Sequence, residues 1–207
     1  MKRKAQRVTI TEVARLAGVS LGTASHVLNN TSSVSEKLRK RVLDAVQALN
    51  YTPSLVARSL RSKATGTVGV IVSNLENPFF TEVAQTIQDT VYKLGYHVII
   101  CSSYEDPNVE RGHILTLLSK QVDGLVIAPT GEQNDLLATL NKEGVPMVIV
   151  SRRLQNLRVP AVISDNVDGC RKATNHLLER GYRRIGILLH DKGASVSNDQ
   201  LTGYHDA

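Results

Sequence analysis

Apolar and polar positions follow a helical period through the first fifty residues. Ile10, Val13, Ala14 and Ala17 fall on one helix face. Thr9-Ile10-Thr11-Glu12 has capping-box spacing, so Thr9 and Glu12 can satisfy first-turn amides between them. Gly18 supplies a permissive backbone at the far end. Ser20 then caps a second block, Leu21–Asn29. In it Ala24, Val27 and Leu28 face inward, and Thr23, Ser25, His26 and Asn29 are left for the outer surface. From the cap at Ser35, Leu38, Val42, Val46 and Leu49 draw one apolar stripe along a third helix. Three short helices with a glycine-bearing corner between the first two form the helix-turn-helix pattern.

The pattern changes after Tyr51. Tyr51–Arg61 carries Pro53 at a first helical position and spans about two turns, too short to be stably helical alone. Such a segment is expected to order on binding. Residues 63–66 read as a linker. Beyond them short apolar runs alternate with amphipathic stretches: strand Val68–Ser73, helix Phe79–Leu94, strand His97–Ser102, helix Asn108–Lys120, strand Gly124–Ala128, helix Gln133–Glu143 and strand Met147–Val150. A second group follows, with Ala161–Ser164 as a strand, Asp168–Arg180 as a helix and Arg184–His190 as a strand. Strands alternating with helices predict a parallel sheet with helices on both faces. The expected organisation is a head at 1–62, two α/β subdomains at 67–154 and 155–207, and the short linker between.

Composition sharpens this picture through charge. Of the 207 residues 42% are hydrophobic, enough for a core, and the net charge is +6. Residues 1–66 hold 12 Lys/Arg against 3 Asp/Glu, whereas residues 67–207 hold 13 against 16. A basic, helically patterned head on a near-neutral body suits a phosphate-rich partner. Cys101 and Cys170 have no paired or metal-ligand spacing and read as reduced, structural residues. No apolar run approaches the ~18 residues of a membrane span, and charge interrupts the first residues where a signal peptide would be apolar. These features point to the cytoplasm. No GxGxxG, Walker, HExxH or GxSxG motif occurs, so neither an enzyme nor a metal site nor a cofactor is expected.

GVSLGTASHVLN, VSEKLRKRVLDAVQALNYTPSLVARSLR and TGTVGVIV together resemble the lactose/galactose repressor family of bacterial transcription regulators. The resemblance runs from about Val8 to the last residue, with its most specific motifs in the first 62. It implies a DNA-binding head on a periplasmic-binding-protein-like α/β body that holds a small molecule in a cleft. Leu21–Asn29 would enter the major groove. A hinge helix at 53–61 would enter the minor groove as a pair, with Leu60 as a wedge. The implied DNA-binding positions are Thr9, Ser20, Leu21, Gly22, Thr23, Ser25, His26, Asn29, Ser35, Tyr51, Ser54, Ala57 and Leu60. Those for a sugar-like effector are Asn77, Phe79, Phe80, Ser151 and Gln200, with one phenylalanine expected in the core. The implied partners are a double-stranded operator, the effector and a second copy of the chain.

Two positions depart from the family pattern. Ser151 stands where a cleft aspartate is usual, and Gln200 where an arginine grips the effector. Residues 161–207 also hold under two βα units, so the body is expected to be incomplete, roughly as much chain again being usual. Alternative readings are a cytoplasmic small-molecule-binding protein, which leaves residues 1–62 unexplained, and an inactive truncated repressor.

Overall fold

The structure, a computed structural model, describes residues 8–29, 34–52, 64–131, 134–154, 157–189 and 195–207. It divides into two compact units, Met1–Lys63 and Ala64–Ala207.

In the first unit lie α1 (Ile10–Ala17), α2 (Leu21–Asn29) and α3 (Glu36–Ala48). α1 begins where Glu12 reaches back to the Thr9 amide at 2.7 Å and to its hydroxyl at 3.0 Å. It ends where Gly18 turns left-handed, at φ 59° and ψ 44°, and Val19 donates to the Ala14 carbonyl at 3.0 Å. α2 starts where the Ser20 hydroxyl accepts from the Thr23 amide at 3.1 Å. The core is built from small side chains: Val13, Ala14, Ala17, Ala24, Val27, Val42 and Ala45 are all buried. Alanines on all three helices let their backbones approach closely. Ala45 is buried in this core, whereas Leu38 of the expected stripe is only half-buried.

The second unit runs β1 (Thr67–Val72), α4 (Pro78–Lys93), β2 (His97–Ser102), α5 (Pro107–Ser119), β3 (Gly124–Ile127), α6 (Asp135–Lys142), β4 (Met147–Val150), β5 (Ala161–Val162), α7 (Asn166–Glu179) and α8 (Ser195–His205). Its five strands are parallel, in the order β2-β1-β3-β4-β5. Both faces are covered, as the sequence predicts. Phe80 of α4 packs against Val70, Val72 and Ala128, and Ala84, one turn further on, is buried as well. On the other face Ile114 and Leu117 of α5, with Leu137 and Leu140 of α6, meet Ile71, Leu125, Ile127 and Ile149. The strand order reverses between β1 and β3, which opens a crevice at the carboxyl ends of the strands.

Three expectations are corrected. Ala161–Val162 does not open a second sheet; it pairs with Ile149–Val150 as the fifth strand of the first, because the edge of β4 offers its backbone groups there. Of the strand expected at Arg184–His190, Arg184–Leu189 forms no strand, because it has no hydrogen-bonded strand neighbour among the described residues, and His190 lies outside them; Leu188 is fully exposed. Thr65 and Gly66 are not free linker, since both amides donate to the Asp123 carboxylate at 2.7 Å and fix the entry to β1. The hinge helix expected at 53–61 lies outside the described residues.

Candidate nucleic-acid interface and ligand cleft

In the head, α2 presents Leu21, Gly22, His26 and Asn29 outward, with Leu21 47% exposed and Thr23 half-buried. Ser25 is different. At 6% exposure it belongs to the inner surface, which corrects its expected place among the base-reading side chains. The reason is geometric. Ser25 sits at the rim of the buried face, and Asn29, one turn on, folds over it. The Asn29 side-chain amide donates to the Ser25 carbonyl at 2.9 Å and to its hydroxyl at 3.3 Å. Thr9, Ser20 and Ser35 are exposed just ahead of α1, α2 and α3, where first-turn amides and the helix dipole favour a phosphate. Tyr51 packs half-buried against the head core. Ser54, Ala57 and Leu60 lie outside the described residues.

In the body, a cavity of about 340 Å³ opens at the carboxyl ends of the strands. Asn77, Phe79, Phe80, Ser151 and Gln200, read from separate parts of the sequence, all line it. Asn77 also caps α4, its side-chain oxygen accepting from the Phe79 amide at 3.0 Å. The two phenylalanine rings meet edge to face with centroids 5.0 Å apart. Phe80 roots in the core at 7% exposure, while Phe79 stands 45% exposed. Ser151 takes φ 70°, turning the chain out of β4 into the cavity wall.

The rest of that wall lies outside the effector positions that the resemblance implies. Glu105 follows β2, Arg152 follows β4, Ser164 and Asn166 follow β5, and Val196 and Ser197 come from α8. Arg152 donates to both Glu105 oxygens at 2.8 Å and to the Pro129 carbonyl at 3.3 Å. Arg153 pairs with Asp199, and its amide donates to the Ser195 hydroxyl at 3.1 Å, so α8 is fastened to the segment after β4. Behind this wall Glu110 is fully buried, accepting from the Thr130 amide and the Asn134 side chain at 2.6 Å each. Burial raises its carboxyl above the usual range despite these bonds and the nearby Arg152 charge. Strand-end position is the signal that could have found most of these residues, since loops after parallel strands converge on the crevice.

Burial likewise raises the Cys101 thiol, which is the setting of an unreactive cysteine. Among the described residues no group of three or more His, Cys, Asp or Glu is placed to hold a metal ion. None of their helices is long and apolar enough to cross a membrane.

Comparison with known proteins places both units. Residues 65–207 match the periplasmic binding proteins and sugar binding domain of the LacI family, and residues 9–54 match bacterial regulatory proteins of the lacI family. The HTH-type transcriptional repressor PurR of Actinobacillus pleuropneumoniae is 34% identical over 196 residues, which cover 95% of this chain and 58% of that one. The crystal structure of the Lac repressor dimer bound to operator and the anti-inducer ONPF matches with a TM-score of 0.84 at 28% identity, covering 97% of this chain and 61% of that one. The Cra transcriptional dual regulator of Pseudomonas putida, in complex with fructose 1-phosphate, matches at 0.65 and 28% identity, over 68% of this chain and 53% of that one. The chain spans about three fifths of the length of the curated relatives it matches.

Proposed function

The chain belongs to the LacI family of bacterial regulatory proteins, and on that premise we propose that it is a sequence-specific transcriptional repressor, cytoplasmic and non-enzymatic, controlled by a small molecule. α2 lies in the major groove, with Thr23, His26 and Asn29 reading bases and Leu21 and Gly22 opening the approach. Thr9, Ser20, Ser35 and Tyr51 hold phosphates and set the register. Residues 53–61, with Ser54, Ala57 and Leu60, act in the minor groove. One head reads only a few base pairs, so a useful operator is a palindrome bound by two copies. Asn77, Phe79, Phe80, Ser151 and Gln200 hold a sugar-like effector, with Phe79 as the stacking face.

The observation that carries this reading is the pairing, in one chain, of a basic unit whose second helix shows a polar outer face with a unit whose strand ends enclose a cavity. The test is selection of duplexes from random-sequence DNA by the full 207-residue chain, followed by binding at two salt concentrations. A recurring palindrome bound more tightly than bulk DNA supports the reading. Salt-dependent binding with no recurring sequence overturns it in favour of sequence-neutral DNA binding.

A further inference from the structure

We infer that the cleft selects an uncharged, hydroxyl-rich ligand and rejects phosphorylated or carboxylated ones, because the one arginine lining it among the described residues is already matched by a carboxylate of the same wall. This rests on the proposed reading of the cavity as the effector site.

Arg152 is the one cation lining the cavity among the described residues. Its guanidinium fork is occupied: both Glu105 oxygens lie at 2.8 Å, and the Pro129 carbonyl takes a third contact. This is the bidentate geometry with which arginine otherwise grips a ligand phosphate or carboxylate. The Arg152 side chain is 13% exposed and that of Glu105 36%, so an entering anion meets the carboxylate more readily than the guanidinium. Glu110 lies buried close behind and adds negative charge whenever it ionises. Arg153, the next cation along the chain, is paired with Asp199 of α8. Among the described residues, the formal charge of the wall arginine is therefore balanced before any ligand arrives.

At the starts of α4 and α7, amides that could favour an anion are also engaged. Asn77 accepts from the first turn of α4, and Asp165 accepts from the Asp168 amide at 3.0 Å at the start of α7, adding a further carboxylate. What remains among the described lining residues is neutral: Ser151, Ser164, Asn166, Ser197 and Gln200 offer both donors and acceptors, and Phe79 offers a flat apolar face. That combination suits a ring carrying several hydroxyl groups.

The test uses matched ligands that differ by one phosphate: glucose with glucose 6-phosphate, ribose with ribose 5-phosphate, and adenosine with adenosine 5′-monophosphate. Each is titrated calorimetrically against the full chain and against Glu105→Gln. In any pair that binds, the neutral member is expected to bind about tenfold tighter or more. Glu105→Gln frees the Arg152 fork and is expected to narrow that ratio. Inorganic phosphate is expected to leave the thermal midpoint of the unaltered chain unchanged, a readout that does not depend on the variant folding. A phosphorylated member bound as tightly as its neutral partner overturns the inference and leaves the ligand site standing. Failure of every pair to bind overturns the reading of the cavity as a ligand site.

Discussion

Arg41 of α3 donates from Nη2 to the Gly18 carbonyl oxygen at 3.1 Å, so the third helix of the head holds the corner between the first two. A Cβ on Gly18 would lie 2.5 Å from that same nitrogen, in a backbone already at φ 59°. The aim of α2 therefore depends on a contact made outside the two-helix motif. Gly18→Ala is expected to destabilise the head by about 1–2 kcal/mol, combining the left-handed backbone cost with displacement of Arg41. Arg41→Ala, which loses one exposed hydrogen bond, is expected to cost less, under about 1 kcal/mol. Parallel thermal melts test that order, and an unshifted Gly18→Ala midpoint would show that the corner accepts a side chain.

Ser25 and His26 are neighbours in sequence with opposite expected roles. His26 is exposed on α2 and can donate to a guanine acceptor or to a phosphate. His26→Ala is expected to cost about 1–3 kcal/mol on the selected operator and to relax preference at one position. Equal losses on operator and random DNA would assign His26 to the phosphates instead. Ser25→Ala, at a buried position under Asn29, is expected to lower the melting temperature while leaving base preference intact. A changed preference in Ser25→Ala would mean that α2 rotates when it binds.

The contrast shows which features are readable from sequence. Thr9, Glu12 and Gly18 act within one or two turns of helix, so their spacing alone identifies the ends of α1. The βα rhythm of residues 67–150 is equally local, and its strands and helices fall within a few residues of their expected places. Ala161–Val162 and Arg184–Leu189 are a different matter. Both are apolar runs of strand character, and only a neighbouring strand decides whether such a run pairs. Asn77, Phe79, Phe80, Ser151 and Gln200 could be placed through family resemblance. The Arg152–Glu105 pair could not, because 47 residues separate its members and only the parallel sheet joins them.

Where α7 and α8 cross, Gly203 leaves no room for a side chain. A Cβ there would run into the Val167 carbonyl oxygen and lie 3.0 Å from the Arg171 amide nitrogen. Both obstacles are backbone, so the helices must move apart. Gly203→Ala is expected to destabilise the body by about 1–3 kcal/mol or more. Because Ser197 and Gln200 lie on the same helix as Gly203, affinity for any ligand of the cleft is expected to fall with it. Calorimetric melting and ligand titration of this variant test both effects. Normal stability with normal affinity would show that this crossing is looser than the geometry requires.

Glu110 and Glu12 make opposite predictions for pH. Burial raises the Glu110 carboxyl, so between its unfolded value, about 4.3, and its higher folded value the native state holds a proton that the unfolded chain has lost. Its contribution is fully present below the unfolded value and declines as pH rises through the folded one. Glu12 runs the other way. The Thr9 amide holds its carboxyl below the usual range, so its contribution is present above the unfolded value and is lost as pH falls through the folded one. The difference in melting temperature between the unaltered chain and Glu110→Gln, followed at body amides by NMR, is therefore expected to shrink with rising pH. The corresponding difference for Glu12→Gln, followed at head amides, is expected to grow. Glu110→Gln also places an amide where Thr130 and Asn134 donate, but that penalty is the same at every pH and leaves the slope to the carboxyl alone. A flat difference for Glu110→Gln would mean that its proton is held no more tightly in the folded body than in the unfolded chain. The buried carboxyl would then gain and lose its proton as it does in the unfolded chain.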